Sequence, residues 1–248
     1  MPFTLVHFRK TAVSATLLPL TPIGDPHVRV EGYDLVIPAL HYLAAALCFG
    51  NAPTQCQIQS PSLRRIFLQD LAKMIATETC VGAVDYICDY SKDPLPLEAS
   101  EKLNVSTIHT LDGACLIWLS DGPIAPVHGD IRTIQATTGH TTAADVWENV
   151  ALTLSQTLPA GRYQVVGMRA VGTNLIAARL VFVGGTWRPG VPAGSTVSSV
   201  DVPLFRQGAF GVFDEFEFDQ PPSIDLLGTG VTASEVIALD LIQIRAGR

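Results

Sequence analysis

Residues 162–183 decide the fold class of this chain, and they read RYQVVGMRAVGTNLIAARLVFV. Apolar, β-branched and aromatic side chains gather there in two short runs, residues 162–168 and residues 175–183. A Gly-Thr-Asn sequence at 172–174 separates the runs, and two glycines follow the second one. Short runs of this kind, bounded by glycine and asparagine, are typical of strands joined by turns. The stretch therefore predicts two β-strands with a turn between them.

The same pattern continues through the second half of the chain, residues 130–244. It contains about eight such runs in about 120 residues, separated by turn signals rich in glycine and proline. No helical pattern of about 10–15 residues interrupts them, which argues against parallel βαβ winding. The spacing predicts an antiparallel sandwich of the jelly-roll or immunoglobulin-like kind. The other predicted strands are residues 132–137, 147–154, 198–202, 211–218, 223–227 and 235–244.

Apolar runs in the first half also favour strands, at residues 28–31, 33–37, 103–108 and 114–119. Turn-forming residues then gather between 121 and 129, beginning with Asp-Gly-Pro. Such a segment is typical of a boundary or linker. We therefore predict a mostly β fold with two antiparallel β-sandwich lobes. The expected division is an N-terminal β-rich lobe, residues 1–127, and a C-terminal jelly-roll-like sandwich, residues 128–248.

Two stretches of the N-terminal lobe could form short helices. Residues 39–48 are rich in alanine and leucine, which have high helix propensity. A second stretch begins at Ser60-Pro61, where helical spacing would align apolar residues on one face. Those residues are Leu63, Phe67, Leu71 and Met74 or Ile75. Either stretch could instead be a buried strand, because periodicity alone does not separate short apolar runs.

The composition limits the classes of partner. Apolar residues make up 48% of the chain and charged residues 16%, whereas soluble domains usually carry about a quarter charged residues. Such a chain either buries large faces within a β-rich domain or covers its surface with other subunits. The net charge is −7, and no run of lysine and arginine with interleaved aromatics occurs. Direct sequence-specific binding of nucleic acid is not expected, because affinity for phosphate backbones is mostly a cationic effect.

The cysteines and the apolar runs indicate where the protein matures. The five cysteines are odd in number and lack CxxC spacing, so they form a poor disulfide framework and a poor zinc site. Buried, reduced thiols are the default expectation. No signal peptide is evident, and no apolar stretch reaches the roughly 20 residues that span a bilayer. We therefore expect synthesis in a cytoplasm and no transmembrane segment. The cysteines are Cys48, Cys56, Cys80, Cys88 and Cys115.

No catalytic or cofactor site can be assembled from sequence motifs. The six histidines form neither an HxH nor an HxxxH pattern, and a GxSxG nucleophile elbow is absent. The phosphate-binding patterns GxGxxG and GxxxxGK followed by Ser or Thr are also absent. We therefore expect no enzyme activity, no cofactor and no metal site.

Three sequence features could form an interface. Glu215, Glu217 and Asp219 alternate with phenylalanines and would share one face of a strand. These three carboxylates could bind Ca²⁺, supply an acid/base pair or form a charged sheet edge. The edge is the favoured interpretation, and it could contact a basic pair of another subunit. Trp187 and Arg188 lie in a Gly/Pro loop that could bind a sugar ring or fill a subunit interface. The candidate interface residues are Trp187, Arg188, Arg64, Arg65, Glu215 and Glu217.

In these features the chain resembles the double jelly-roll major capsid proteins of tailless icosahedral bacteriophages. The resemblance is carried by the strand-rich residues 130–244, the Pro/Gly boundary at 122–129 and the LPAGRY turn at 158–163. It implies two sandwiches side by side, homotrimers with pseudo-hexagonal outlines and a closed icosahedral shell. The implied partners are further copies of the chain and other capsid proteins. The implied location is the virion, after synthesis in the host cytoplasm.

The chain departs from this family in two respects. It is short for a double jelly roll, and helices between residues 39 and 75 would fit poorly inside a first jelly roll. A single jelly roll with an irregular N-terminal domain is therefore an alternative, as is a minor capsid or spike protein. Outside viral structural proteins, the alternative is a lectin-like or Ca²⁺-dependent ligand-binding sandwich that uses Trp187 or the acidic strand.

Overall fold

The computed structural model describes residues 2–11, 14–23, 28–37, 39, 41–50, 55–68, 72–73, 87–110, 112–194 and 202–246. Regular structure among these residues is almost entirely β, apart from one 3-10 turn, Pro203–Phe205. Antiparallel sheets form sandwich-like arrangements, so the predicted mostly β sandwich class is confirmed. The chain divides into two compact units, residues 5–123 and residues 1–4 with 124–248. They are called the N-terminal unit and the C-terminal unit below.

The described residues of the N-terminal unit form two sheets. Its strands are β1 (Phe3–Thr11, which begins in the C-terminal unit), β2 (Ser14–Pro19), β3 (Thr21–Pro22), β4 (Arg29–Glu31), β5 (Asp34–Val36), β6 (His41–Gly50), β7 (Gln55–Ser60), β8 (Arg64–Leu68), β9 (Ala72–Lys73), β10 (Cys88–Asp89), β11 (Leu95–Leu97), β12 (Lys102–His109) and β13 (Asp112–Ser120). One sheet has the order β10-β6-β13-β1-β3, with β9 and β11 also on β6. The other has the order β4-β5-β12-β7-β8, with β2 on β12.

One hydrophobic core joins these two sheets. It contains Phe8 of β1 and Ile117 of β13 from the first sheet, and Ile58 of β7 and Val105 of β12 from the second. Each of these side chains is 0% exposed. Burying a side chain of this size stabilises a fold by about 1.5–3 kcal/mol. The alternating burial of β12 shows the core face and the outer face of a sandwich strand.

The helical alternatives for the N-terminal unit are wrong for the described residues. Residues 41–50 form β6, in which Ala46 lies opposite Ile117 and Ala45 lies opposite Trp118 of β13. Helix propensities differ by only a few tenths of a kcal/mol per residue. Here the small alanines lie beside large side chains in a strand that is buried from Leu43 to Gly50. Residues 64–68 also form a strand, β8, paired with β7. Leu71, Met74 and Ile75 lie outside the described residues.

The described residues of the C-terminal unit form one seven-stranded sheet, arranged around two long strands. Its order is β16-β14-β20-β17-β18, with β15 on β20 and β19 on β17. The strands are β14 (Ile131–Thr137), β15 (Glu148–Val150), β16 (Thr153–Leu154), β17 (Gly161–Val181), β18 (Gly190–Gly194), β19 (Asp214–Glu217) and β20 (Ser223–Ala246).

The two strands predicted at 162–168 and 175–183 are one continuous strand, β17, and the turn predicted at 172–174 is wrong. Thr173 pairs with Ala233 and Leu175 pairs with Gly228, so β20 carries extra residues opposite Asn174. Asn174 has a φ of 61°, and its Nδ2 donates a hydrogen bond to the Val231 carbonyl at 2.9 Å. The turn residues therefore produce a bulge in a two-stranded ribbon and no chain reversal.

The strands predicted at 223–227 and 235–244 likewise merge into β20. Strand β18 lies in the Gly/Pro segment that was expected to be a loop. Apart from Val202, the strand predicted at 198–202 lies outside the described part of the chain. Among the described residues, no helix is long and apolar enough to cross a membrane.

Candidate functional site

The C-terminal unit holds buried carboxylates whose oxygens are already occupied. Asp240 is 0% exposed and accepts hydrogen bonds from Arg206 Nε at 2.8 Å, Thr133 Oγ1 at 2.6 Å and the Gln207 backbone N–H at 2.7 Å. Burial acts to raise the pKa of the Asp240 carboxyl, but these hydrogen bonds outweigh it and hold that pKa below its ordinary value. The carboxylate therefore holds β20, β14 and the 3-10 turn segment together.

A second buried ion pair joins β17 and β20. Arg179 is 1% exposed, and its Nε donates a hydrogen bond to Asp225 Oδ2 at 2.9 Å. The Arg179 guanidinium lies 4.0 Å above the centre of the Trp147 ring, and Asn149 Nδ2 donates to the other Asp225 oxygen at 2.8 Å. Trp147 is thus part of a cation–π contact within the unit. Neither ion pair offers a carboxylate with room for a substrate.

The acidic strand β19 uses its charges differently. It pairs with residues 162–165 of β17 and buries Phe216, whose ring stacks on Tyr163. Glu215 Oε2 lies 2.8 Å from Arg162 Nε, and Glu215 Oε1 accepts a hydrogen bond from Gln164 Nε2 at 2.8 Å. Both carboxylate oxygens of Glu215 are therefore engaged within the sheet. Glu217 is exposed.

The loop at 182–189 places the other predicted pair, Trp187 and Arg188. Arg188 is 6% exposed, and its Nη1 donates hydrogen bonds to the carbonyls of Gly185 at 2.8 Å and Trp187 at 2.9 Å. The Arg188 backbone N–H donates to Thr4 Oγ1 at 3.3 Å. Arg188 therefore holds its own loop in shape, while Trp187 is half-buried.

The structure brings this loop beside the acidic strand. A Cβ placed on Gly185 would lie 3.4 Å from Asp214 Oδ2. A shallow depression of about 250 Å³ is shared by the two segments, and Val183 at its rim is 79% exposed. We call this surface the acidic edge, and it is lined by Arg162, Val183, Glu215, Phe216, Glu217 and Gln220. The sequence predicted its glutamates but not the neighbouring Val183.

The remaining predicted interface residues, Arg64 and Arg65, lie on β8 of the N-terminal unit. Their side chains are outside what the structure describes, but their strand is placed. Strand β8 pairs with β7 and ends the order of its sheet, and β19 pairs with β17 alone, so each is an edge strand among the described pairings. The acidic and the basic candidates thus both occupy sheet edges.

The C-terminal unit also has a polar cleft of about 330 Å³. Asp130, Arg132 and Gln243 supply polar groups, and Tyr163 lies at one wall with its hydroxyl donating to the Pro159 carbonyl at 2.7 Å. None of the predicted interface residues lines this cleft. Sequence reasoning missed it because its walls come from β14, β17, β20 and the segment before β17.

The N-terminal unit holds a group of three cysteines that sequence reasoning also missed. Cys48, Cys56 and Cys115 bring their Sγ atoms within 4.8 Å of one another, and the three residues are 0–3% exposed. We call this group the thiol cluster. Among the described residues, the thiol cluster is the one group in which three or more cysteine, histidine or carboxylate side chains lie close enough to share a metal ion. The acidic strand therefore does not supply three convergent carboxylates for Ca²⁺.

A buried histidine lies in the same unit. The ring of His7 is 0% exposed and stacks on Phe49 with centroids 6.2 Å apart. Burial and the neighbouring Arg9 charge lower the pKa of His7 to about 3. The imidazole is therefore neutral at ordinary pH. Phe49 and Cys48 are successive residues of β6, so their side chains point to opposite faces of the sheet.

No protein-family model, curated protein or solved structure matches this chain.

Proposed function

We propose that this chain is a viral structural protein, a major capsid subunit with two jelly-roll-like lobes that assembles into trimeric capsomers of an icosahedral shell. Its location would be the virion, and its partners would be copies of itself and other capsid proteins. The proposal is supported by the all-β architecture of both units. It is also supported by the two carboxylates of Asp240 and Asp225, which are paired with Arg206 and Arg179. These buried charges hold strands together.

The observation that carries the proposal is the position of two oppositely charged pairs on edge strands. On β19 of the C-terminal unit Glu217 is exposed and Glu215 is paired with Arg162, and Arg64 and Arg65 lie on β8 of the N-terminal unit. An open strand edge can pair with another chain, and charges on it decide which chain is accepted. Because the two edges are different surfaces, their contact is head-to-tail, and such contacts form a ring such as a trimer when the rotation between copies closes.

Apolar side chains beside the acidic edge support the same conclusion. Val183 is 79% exposed and Phe218, which follows β19 directly, is 41% exposed. Burying them against a second copy would add affinity, while the charged pairs would set orientation and association rate.

Charge reversal tests the proposed contact. We expect the wild-type chain to form trimers or larger particles in multi-angle light scattering. Glu215→Lys combined with Glu217→Lys should yield monomers, and so should Arg64→Glu combined with Arg65→Glu. A chain with all four substitutions should assemble again, because the attraction is restored with its sign exchanged.

The matched control is Asp93→Lys with Glu98→Lys, two exposed acids of another turn region. It changes the net charge as much as the acidic-edge variant does and should leave assembly intact. A wild-type chain that stays monomeric over a wide concentration range would overturn the proposal. So would a four-substitution chain that stays monomeric while its far-ultraviolet circular dichroism is unchanged.

The polar cleft supports a second candidate, a ligand-binding sandwich of the lectin-like class. Its volume is at the lower end of small-molecule sites, and Asp130, Arg132 and Gln243 could bind the hydroxyls of a sugar. A panel of monosaccharides should then raise Tm in a dose-dependent manner. Asp130→Ala should abolish the shift, and a panel that leaves Tm unchanged would remove this candidate.

A further inference from the structure

We propose that the thiol cluster is a binding site for a soft d10 metal ion, held by three cysteine sulfurs inside the N-terminal unit. This inference is independent of the proposed capsid role. It starts from the placement of the three cysteines on three strands. Cys48 of β6 and Cys115 of β13 lie directly opposite each other in one sheet. Cys56 of β7 belongs to the second sheet and faces the same core.

The distances suit a metal–sulfur complex. A metal–sulfur bond of about 2.3 Å places sulfurs about 3.8 Å apart in a tetrahedral site and about 4.0 Å apart in a trigonal one. The three Sγ atoms of the cluster lie within 4.8 Å of one another. Small rotations about the cysteine side chains would therefore close the site without moving a strand.

Binding would be accompanied by the loss of protons. The thiolate is the form of cysteine that binds metal, so each cysteine that becomes a ligand releases its proton as the ion enters.

Coordination number and ligand softness point to copper(I). Zinc prefers four ligands, and the group has three members among the described residues. Soft thiolate ligands select copper(I).

The bound ion would cross-link the two sheets of the sandwich. Cys48 and Cys115 come from one sheet and Cys56 from the other, so a complex that includes all three exists only when the sheets are packed together. The free energy of binding then adds to the free energy of folding. Because the sulfurs are buried, the ion must enter during folding or during transient opening of the core.

The test uses the full chain, unfolded under reducing conditions and refolded with copper(I) supplied as its glutathione complex. Excess metal is then removed by desalting. We expect one copper ion per chain by elemental analysis, three sulfur ligands by X-ray absorption spectroscopy and a higher Tm than that of the metal-free protein. Cys115→Ser should lose the bound copper. Cys56→Ala should lose the three-sulfur signature even if it folds less stably.

Cys88→Ser is the matched control, because Cys88 is a half-buried cysteine of the same unit outside the thiol cluster. It should retain the copper ion and the three-sulfur signature. A wild-type chain that refolds to the same circular dichroism spectrum and releases all copper on desalting would overturn the proposal. Bound copper with nitrogen or oxygen ligands, or equal copper loss in Cys88→Ser and Cys115→Ser, would overturn it as well.

Discussion

The two units share a β architecture but bury polar chemistry in different forms. The C-terminal unit pairs two buried carboxylates with arginines, Asp225 with the buried Arg179 and Asp240 with the half-buried Arg206. The N-terminal unit buries, besides Arg9 and Glu101, a thiol cluster and the imidazole of His7. Paired charges hold strands together and remain paired at ordinary pH. Thiols and imidazoles can change with protonation or with a bound ion, so we expect the two units to respond to different conditions.

The largest expected effect comes from disrupting the Arg206–Asp240 ion pair of the C-terminal unit. Asp240→Asn should lower the free energy of unfolding by about 3–5 kcal/mol, because it leaves Arg206 without its buried counter-charge. Urea unfolding monitored by tryptophan fluorescence would measure the loss. Asp219→Asn, which changes an exposed carboxylate of the same unit, should stay within about 0.5 kcal/mol of the wild type. Equal effects of the two substitutions would show that the Asp240 network contributes little.

A second prediction tests the buried, titratable imidazole of His7 in the N-terminal unit. Histidine in an unfolded chain has a pKa near 6.5, whereas His7 in the folded chain has a pKa of about 3. The unfolded state therefore binds a proton first as the pH falls below 6.5. The contribution of His7 should lower stability by about 1.4 kcal/mol per pH unit, or about 3 kcal/mol between pH 6.5 and pH 4.

The matched variant is His7→Leu, which keeps an apolar side chain beside Phe49. Its stability should fall less steeply than that of the wild type as the pH is lowered from 6.5 to 4, and the difference in slope measures His7. Parallel slopes for the two proteins would contradict a buried, neutral His7.

The smallest expected effect concerns the bulge in the long ribbon formed by β17 and β20. This ribbon has no counterpart in the described N-terminal unit. Asn174 adopts a left-handed backbone conformation at φ 61°. Asn174→Ala should lower stability by about 1–2 kcal/mol, because a Cβ without a compensating polar group is strained there. Asn174→Gly should cost less, since glycine adopts this conformation without strain. A thermal unfolding series would rank the two, and the opposite order would contradict the bulge.

The sequence located most strands of the C-terminal unit because buried apolar and exposed polar residues alternate over a few positions along each strand. Residues 131–137 and 214–217 lie where apolar and β-branched side chains predicted strands. The sequence could not show that 161–181 is one strand, because Gly-Thr-Asn supports a turn and a bulge equally well. The pairing partner decided between them. Strand β20 offers Gly228 and the residues after it opposite Asn174.

The candidate site was predicted only in part, for a related reason. The sequence showed Glu215 and Glu217 as an alternating acidic run. Only tertiary packing brings the loop that contains Val183 beside them. Arg188 was predicted as an interface residue because tryptophan and arginine are enriched at interfaces. Its guanidinium is instead turned onto the carbonyls of Gly185 and Trp187. The thiol cluster had no spacing signal, because its cysteines come from β6, β7 and β13.

The sequence by itself determined that this protein is built from strands, and it located most of those in the C-terminal unit. β-branched residues, alternation and turn residues act over a few positions, so their effects are visible in a linear chain. Only the tertiary structure decided that an alanine-rich run becomes the buried strand β6, that two predicted strands become β17 and that three distant sulfurs meet. Those outcomes depend on what each segment packs against, and strand pairing joins residues that are far apart in sequence.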